Sequence, residues 1–231
     1  MSEQKSSQDI PLPIVVLISG GGSNLQAIID AMQVNQLPVD IRAVISNVAD
    51  AQGLKRAQRA GITTEVIEHG QYPSRKAFDA ALQKTIDSYK PKLVVLAGFM
   101  RLLSDEFVNH YQGRMLNIHP SLLPDFKGLN THQRVLEAHK AGQFYRHGAS
   151  VHFVTPELDG GPVILQAEVP VKKNDSNETL AARVLAQEHQ IYPIVIRWFA
   201  EGRLCLQGNR AILDDKVLDS PLSFDSLAPR H

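Results

Sequence analysis

An α/β fold, with a mostly parallel sheet flanked by helices and an antiparallel edge hairpin late in the chain, is what this sequence predicts. Three observations carry that expectation. Short continuous apolar runs, such as Ile14 to Ile18 and Leu93 to Ala97, have strand length and read as strands buried on both faces. Stretches with apolar residues at helical spacing separate these runs. Beyond residue 145 the alternation gives way to two strand-like runs joined by a glycine-containing turn, which is the pattern of a hairpin.

The elements follow in order. Ile14 to Ile18 leads into Ser19-Gly-Gly-Gly-Ser-Asn24. Leu25, Ile28, Ile29 and Met32 then share a helical face, with Ser23 or Asn24 as the candidate cap. Ile41 to Ile45 is a second strand, residues 51–60 a helix stopped by Gly61, and Thr63 to Ile67 a third strand. Pro73-Ser74 open a helix that places Phe78, Ala81, Leu82 and Ile86 on one face. Leu93 to Ala97 is followed by Gly98-Phe-Met-Arg-Leu-Leu103 and a short helix from Ser104. Met115 to Ile118 leads into His119-Pro-Ser-Leu-Leu-Pro124, and helical spacing returns from Thr131 to Ala141. Ala149 to Thr155 and Val163 to Val171 flank the turn Leu158-Asp-Gly-Gly161. A long helix from Ser176 to Phe199 and a short strand pair complete the pattern. Strand–helix alternation of this kind defines one Rossmann-like domain over residues 13–214, with a phosphate-binding half to residue 112 and a catalytic half from 113. Residues 1–12 read as a flexible extension, and 215–231, rich in Pro, Ser and Asp, as a loose tail.

Composition narrows the function. Lys+Arg and Asp+Glu both number 24 among 231 residues, so there is no basic excess of the kind that coats nucleic acid or an anionic membrane. Small-molecule substrates are the expected partners, with the chain a monomer or homodimer. The single cysteine, Cys205, forms no internal disulfide, and the polar start has no apolar signal core, which fits a cytoplasmic protein. No His-Glu-x-x-His and no cysteine pair occurs, so no metal is expected.

Candidate chemistry sits at the strand ends. Glycines after the first strand let the backbone approach a ligand, and the following helix start directs N–H groups at an anion. The loop is not a P-loop, and Leu25 stands where a dinucleotide fingerprint would need its third glycine. A tight turn without ligand is the plainer alternative. Asn117 and His119 lie on the same side of a strand end, where open parallel sheets bind ligands. An amide can stabilise an oxyanion and an imidazole can move a proton. His119 alone could equally be a histidine bonded to nearby backbone. Asp159 could orient an imidazole or simply bond its own turn, and spacing favours the turn. Arg75, at a helix start, and Glu188, inside the long helix, read by default as solvated surface residues.

Taken together, the segments say more. Val15 to Ile29, Val94-Val-Leu-Ala-Gly-Phe-Met-Arg101, Leu116-Asn-Ile-His-Pro-Ser-Leu-Leu-Pro124, Ser150-Val-His-Phe-Val154, Glu157-Leu-Asp-Gly-Gly-Pro-Val-Ile164 and Gln187-Glu-His-Gln-Ile-Tyr-Pro193 closely resemble the folate-dependent glycinamide ribonucleotide transformylases. The resemblance runs from Ile14 to Leu206. It implies transfer of a formyl group from the co-substrate 10-formyltetrahydrofolate to glycinamide ribonucleotide. It implies that Asn117, His119 and Asp159 are catalytic, and that Gly22, Ser23, Asn24 and Glu188 bind the ribonucleotide. Arg75, Met100, Arg101, Leu102, Leu103, Asn117, Val154 and Asp159 would bind the folate. Methionyl-tRNA formyltransferases and formyltetrahydrofolate deformylases share the His-Pro-Ser-Leu-Leu-Pro block. The former carry a further C-terminal barrel and lack this glycine loop, and the latter carry an N-terminal regulatory domain. A formyltetrahydrofolate hydrolase and a non-catalytic nucleotide-binding regulator are therefore the alternatives. The sequence departs from the family at Asp125-Phe-Lys127, where a Pro-rich stretch is usual, at Asn130, where His is frequent, and at 141–145, which is slightly longer.

Overall fold

A computed structural model describes residues 10–227, so most of the expected N-terminal extension lies outside the described residues. The order of elements is β1 (Leu12–Ile18), α1 (Ser23–Gln33), β2 (Val39–Ser46), α2 (Gln52–Arg59), β3 (Thr64–Val66), α3 (Arg75–Ser88), β4 (Leu93–Leu96), α4 (Asp105–His110) and β5 (Met115–His119). Then come α5 (Thr131–Lys140), β6 (Arg146–Phe153), β7 (Val163–Pro170), α6 (Asn177–Ala200), β8 (Leu204–Gln207), β9 (Arg210–Leu213), β10 (Lys216–Val217) and β11 (Leu222–Ser223).

Eight strands form one sheet in the order β11-β7-β6-β5-β4-β1-β2-β3, and β8, β9 and β10 form a separate antiparallel sheet. Pairings among β1 to β5 are parallel, as the alternation of strands and helices requires. The chain runs outward from β1 to β3, then returns to lay β4 and β5 on the other side of β1. The crevice beyond the carboxyl ends of β1 and β4 is therefore the topological switch point, where sheets of this type bind ligands.

Alternate residues of each strand feed two cores. Ile14, Val16 and Ile18 pack with Leu25, Ile28 and Ile29 of α1 and with Val184, Ile191 and Val195 of α6. Val15 and Leu17 pack on the other face with Phe78, Leu82 and Ile86 of α3 and Phe107 of α4. Burial on both faces is why these strands are continuously apolar.

Three local expectations change. Gly22, not Ser23 or Asn24, is the N-cap of α1, and no side chain caps that helix. The β6–β7 hairpin is antiparallel as expected, but β11 pairs parallel with β7 and takes the edge. The loose tail does not hold for residues 216–227, because β10 and β11 lie there, and Leu218, Leu222 and Phe224 pack against the core. The run Leu222-Ser-Phe224 is too short to show a periodicity against its Pro- and Asp-rich surroundings.

Candidate active site

The glycine loop sits where β1 ends, and close packing dictates the last of its three glycines. Gly22 has φ 69°, and a Cβ there would meet Gly53 Cα at 2.5 Å. A Cβ on Gly53 would in turn meet Ile18 Cδ1 at 2.5 Å. The backbones of the loop and of α2 thus lie against each other, joined by the Gly53 amide donating to Gly20 O at 3.0 Å. Arg56 Nε donates to Gly21 O at 2.8 Å, a tie that sequence reading missed because Arg56 sits on the neighbouring helix. With no side-chain cap, the first amides of α1 are free to meet an anion.

Behind the loop, Asn24 and Glu188 are buried together. Asn24 Nδ2 donates to Glu188 Oε2 at 2.6 Å, which joins residues far apart in sequence. Burial pushes the Glu188 carboxyl above its ordinary range, and the Asn24 bond partly opposes this. Asn24 Oδ1 is buried without a partner among the described residues. One helical turn beyond Glu188, the Tyr192 hydroxyl lies 2.9 Å from Leu96 O, at the end of β4, and 3.0 Å from Leu116 O in β5. That contact fixes α6, and so Glu188, over the switch point. The solvated helix face expected by default for Glu188 is therefore wrong, since Glu188 is buried.

The catalytic candidates converge. Asn117 and His119 project from the end of β5. His119 Nδ1 lies 3.5 Å from Asp159 Oδ2, and His119 Nε2 lies 3.1 Å from Phe126 O. Both ring nitrogens face oxygen atoms, so the ring is held in a fixed orientation. Asp159 is not bonding its own turn. Its Oδ2 accepts the Gly128 amide at 2.8 Å, and its backbone has φ 46°. The His119 side chain is 7% exposed and that of Asp159 10%, so their interaction is little screened.

His152, across the β5–β6 pair from Asn117, is a member of the site that sequence reading did not single out. It is fully buried, and desolvation holds it well below the ordinary imidazole range, so the ring is neutral. Its Nδ1 donates to Phe153 O at 2.9 Å, leaving Nε2 to accept from Asn117 Nδ2 at 3.1 Å. This orients the Asn117 amide and leaves its second N–H for a ligand. Burial likewise depresses the pKa of His132, and that of His147 to about 3, with the neighbouring histidines adding to the effect. His132 Nδ1 and His147 Nε2 share one hydrogen at 3.0 Å.

A cleft of about 540 Å³ gathers these groups. It is lined by Gly98 to Leu102, Asn117 to Pro120, Gly128 to Gln133, Leu158, Asp159 and Asn177. A smaller pocket of about 110 Å³ adjoins it and adds Leu103, Val154 and His152. Met100, Leu102, Leu129 and Leu158 are exposed apolar residues on the rim. The loop 98–103 is held at its start by Met100 N donating to Ser19 Oγ at 2.7 Å and at its end by Ser104 N donating to the buried Asp79 carboxylate at 2.7 Å. Arg75 lies apart from this cleft, exposed at the start of α3. A larger groove of about 780 Å³ between α1 and α6 reaches Ser23 but contains none of Asn117, His119 and Asp159, so the chemistry belongs to the smaller cleft. Among the described residues, no group of three or more His, Cys, Asp or Glu side chains is arranged to hold a metal ion, and no helix is long and apolar enough to cross a membrane.

A parallel sheet with an uncapped helix start and an amide–imidazole–carboxylate cluster around its switch point is the architecture of a group-transfer enzyme. The chain belongs to the formyl transferase family, whose model matches residues 12–196. Within that family its relatives include phosphoribosylglycinamide formyltransferases, transferases of purine biosynthesis. It is 58% identical to the one from Escherichia coli (strain K12) and 49% identical to that of Haemophilus influenzae, in each case over 89% of this chain and 95% of the relative. The solved phosphoribosylglycinamide formyltransferase of Coxiella burnetii superposes with a TM-score of 0.86 at 59% identity, covering 93% of this chain and 99% of that one.

Proposed function

We propose that the chain transfers the formyl group of 10-formyltetrahydrofolate to the amine of glycinamide ribonucleotide, giving N-formylglycinamide ribonucleotide and tetrahydrofolate. The convergence of Asn117, His119 and Asp159 in a cleft beside the glycine loop carries this reading. The strands bearing the loop and the pair, β1 and β5, flank β4, so they stand about 10 Å apart. That separation suits a ribose 5-phosphate between an anion site and a reacting amine.

Each group has a task. The amides of Gly22, Ser23 and Asn24 receive the phosphate at the start of α1. Glu188, with the unpartnered Asn24 carbonyl, accepts hydrogen bonds from the ribonucleotide. The backbone of Met100 to Leu103 reads the edge of the pterin ring, while Val154 and the apolar rim cover its faces. Arg75 serves the acidic end of the folate.

The amine attacks the formyl carbon directly, and charge develops on the formyl oxygen. The second N–H of Asn117 and the charge of His119 stabilise that oxygen. Asp159 orients the His119 ring and helps move a proton from the attacking amine to the leaving nitrogen. No covalent intermediate with the protein is required, so Cys205 has no part. The hydrolase alternative is not favoured by the relatives.

The test is release of tetrahydrofolate from 10-formyltetrahydrofolate, with and without glycinamide ribonucleotide, for the purified chain and for His119→Ala. Release should require the ribonucleotide and fall by at least roughly 10²-fold in the variant. Release without ribonucleotide would instead identify a hydrolase, and binding without release a regulator.

A further inference from the structure

We propose that Arg134, on α5, is a positioning residue of the active site: it fixes the tripeptide Phe126–Lys127–Gly128, through which the backbone grips His119 and Asp159 together. The inference builds on the formyl-transfer reading, but its structural part stands without it. The Phe126 carbonyl faces His119 Nε2 at 3.1 Å, and the Gly128 amide donates to Asp159 Oδ2 at 2.8 Å. One short stretch therefore sets the orientation of both side chains.

That stretch does not hold its shape unaided. Phe126 has φ 54°, Gly128 φ 80° and Asn130 φ 56°. A left-handed phenylalanine is disfavoured by its Cβ and persists only where its surroundings determine it. Arg134 supplies the determination. Its Nη1 donates to Lys127 O at 2.7 Å and reaches Leu129 O at 3.4 Å. Its guanidinium lies 5.4 Å from the centre of the Phe126 ring. The planar group thus binds backbone on one edge and the aromatic face on the other, a combination a lysine cannot reproduce. The Phe126 ring also packs on Phe144 at 4.9 Å. A second tie, Lys127 Nζ to Glu157 Oε1 at 2.7 Å, joins the tripeptide to the turn that carries Asp159. Although Arg134 is exposed and does not line the cleft, the peptide units on which His119 and Asp159 rest are bound by it.

Arg114 is an internal control. It lies 4.9 Å over the Tyr111 ring and donates to His110 O at 3.1 Å, the same kinds of contact at a place that touches neither catalytic side chain. In the full chain, Arg134→Ala should lower kcat by roughly ten- to a hundredfold, the scale expected of a small misplacement of reacting groups, with both KM values within about twofold. Arg114→Ala should leave kcat unchanged while lowering the melting midpoint at least as much. Exchange of the Gly128 amide hydrogen should accelerate in Arg134→Ala and not in Arg114→Ala. Unchanged exchange at Gly128 overturns the inference whatever turnover does. Faster exchange with unchanged kcat also overturns it. If the wild-type chain does not transfer formyl groups, the functional reading fails, and Gly128 exchange still decides whether Arg134 holds the tripeptide.

Discussion

Asn117 is held by a neighbour that has no direct part in the proposed chemistry. His152 is kept neutral by burial, so its Nε2 must accept, and only the amino group of Asn117 can satisfy it. The carboxamide is thereby prevented from flipping, and its remaining N–H is presented to the cleft before substrate arrives. Preorganised donors of this kind act on the transition state more than on the bound substrate. Asn117→Ala should therefore lower kcat by roughly 10²- to 10³-fold, with much smaller changes in either KM. Steady-state kinetics with each substrate varied in turn would show it. An unchanged kcat would place the oxyanion elsewhere in the cleft.

At the scale of elements, what the sequence discloses depends on whether a contact is local. The strand β5 and its Asn-x-His end were legible, because a period of two places both side chains on one side. By resemblance the ordered motifs pointed to Asp159 and Glu188, whose residue-level defaults were a turn and a solvated helix face; the structure sets Asp159 beside His119 and buries Glu188 against Asn24. His152, Arg56 and Ser19 were not singled out, since their roles come from pairings across β6, α2 and the 98–103 loop that no local pattern encodes. The glycine loop was legible as a tight turn, whereas its close approach to α2 needed the structure. Gly22→Ala forces a Cβ against Gly53 Cα and a disfavoured φ, at a cost of about 1–3 kcal/mol if the loop stays in place. Moving the loop instead would displace the amides at the start of α1. KM for the ribonucleotide should then rise about tenfold or more while KM for the folate changes little, since about 1.4 kcal/mol is a factor of ten. Equal changes in both KM values would argue against a phosphate role for the loop. The strand β6 adds a pH dependence. His147 is neutral in the fold because burial lowers its pKa from 6.5 to about 3, whereas the unfolded chain takes up the proton below about 6.5. Its contribution to stability is complete above that pH and declines progressively as the pH falls toward 3. His152 acts in the same direction. The melting midpoint should fall by several degrees between pH 7 and 4, and His147→Gln should flatten that slope. A midpoint independent of pH in the wild-type chain would mean that the buried rings take up protons as readily in the fold as in the unfolded chain.

Across the whole molecule, the two-sided sheet was legible because burial on both faces writes continuous apolar runs into β1 and β4. The closure of its edge was not. β11 is two residues long, and β7 would present a free ladder edge without it. Exposed edges of this kind invite pairing with other chains, so a short covering strand protects the fold out of proportion to its length. Just before β11, Leu218 to Pro221 line one cavity of about 490 Å³ together with the turn Asp159 to Val163. Ending the chain after Val217 would remove the packing of Leu218, Leu222 and Phe224 on the core. At about 1 kcal/mol for each of these partly buried side chains, the loss is roughly 3 kcal/mol, or roughly 5–10 °C in the melting midpoint of a domain this size. The truncated chain should also aggregate more readily on heating, through the exposed edge of β7. Thermal unfolding with light scattering reads both effects. A midpoint within a degree of the wild type would show that β7 does not depend on its cover, and the segment would then be dispensable to the fold.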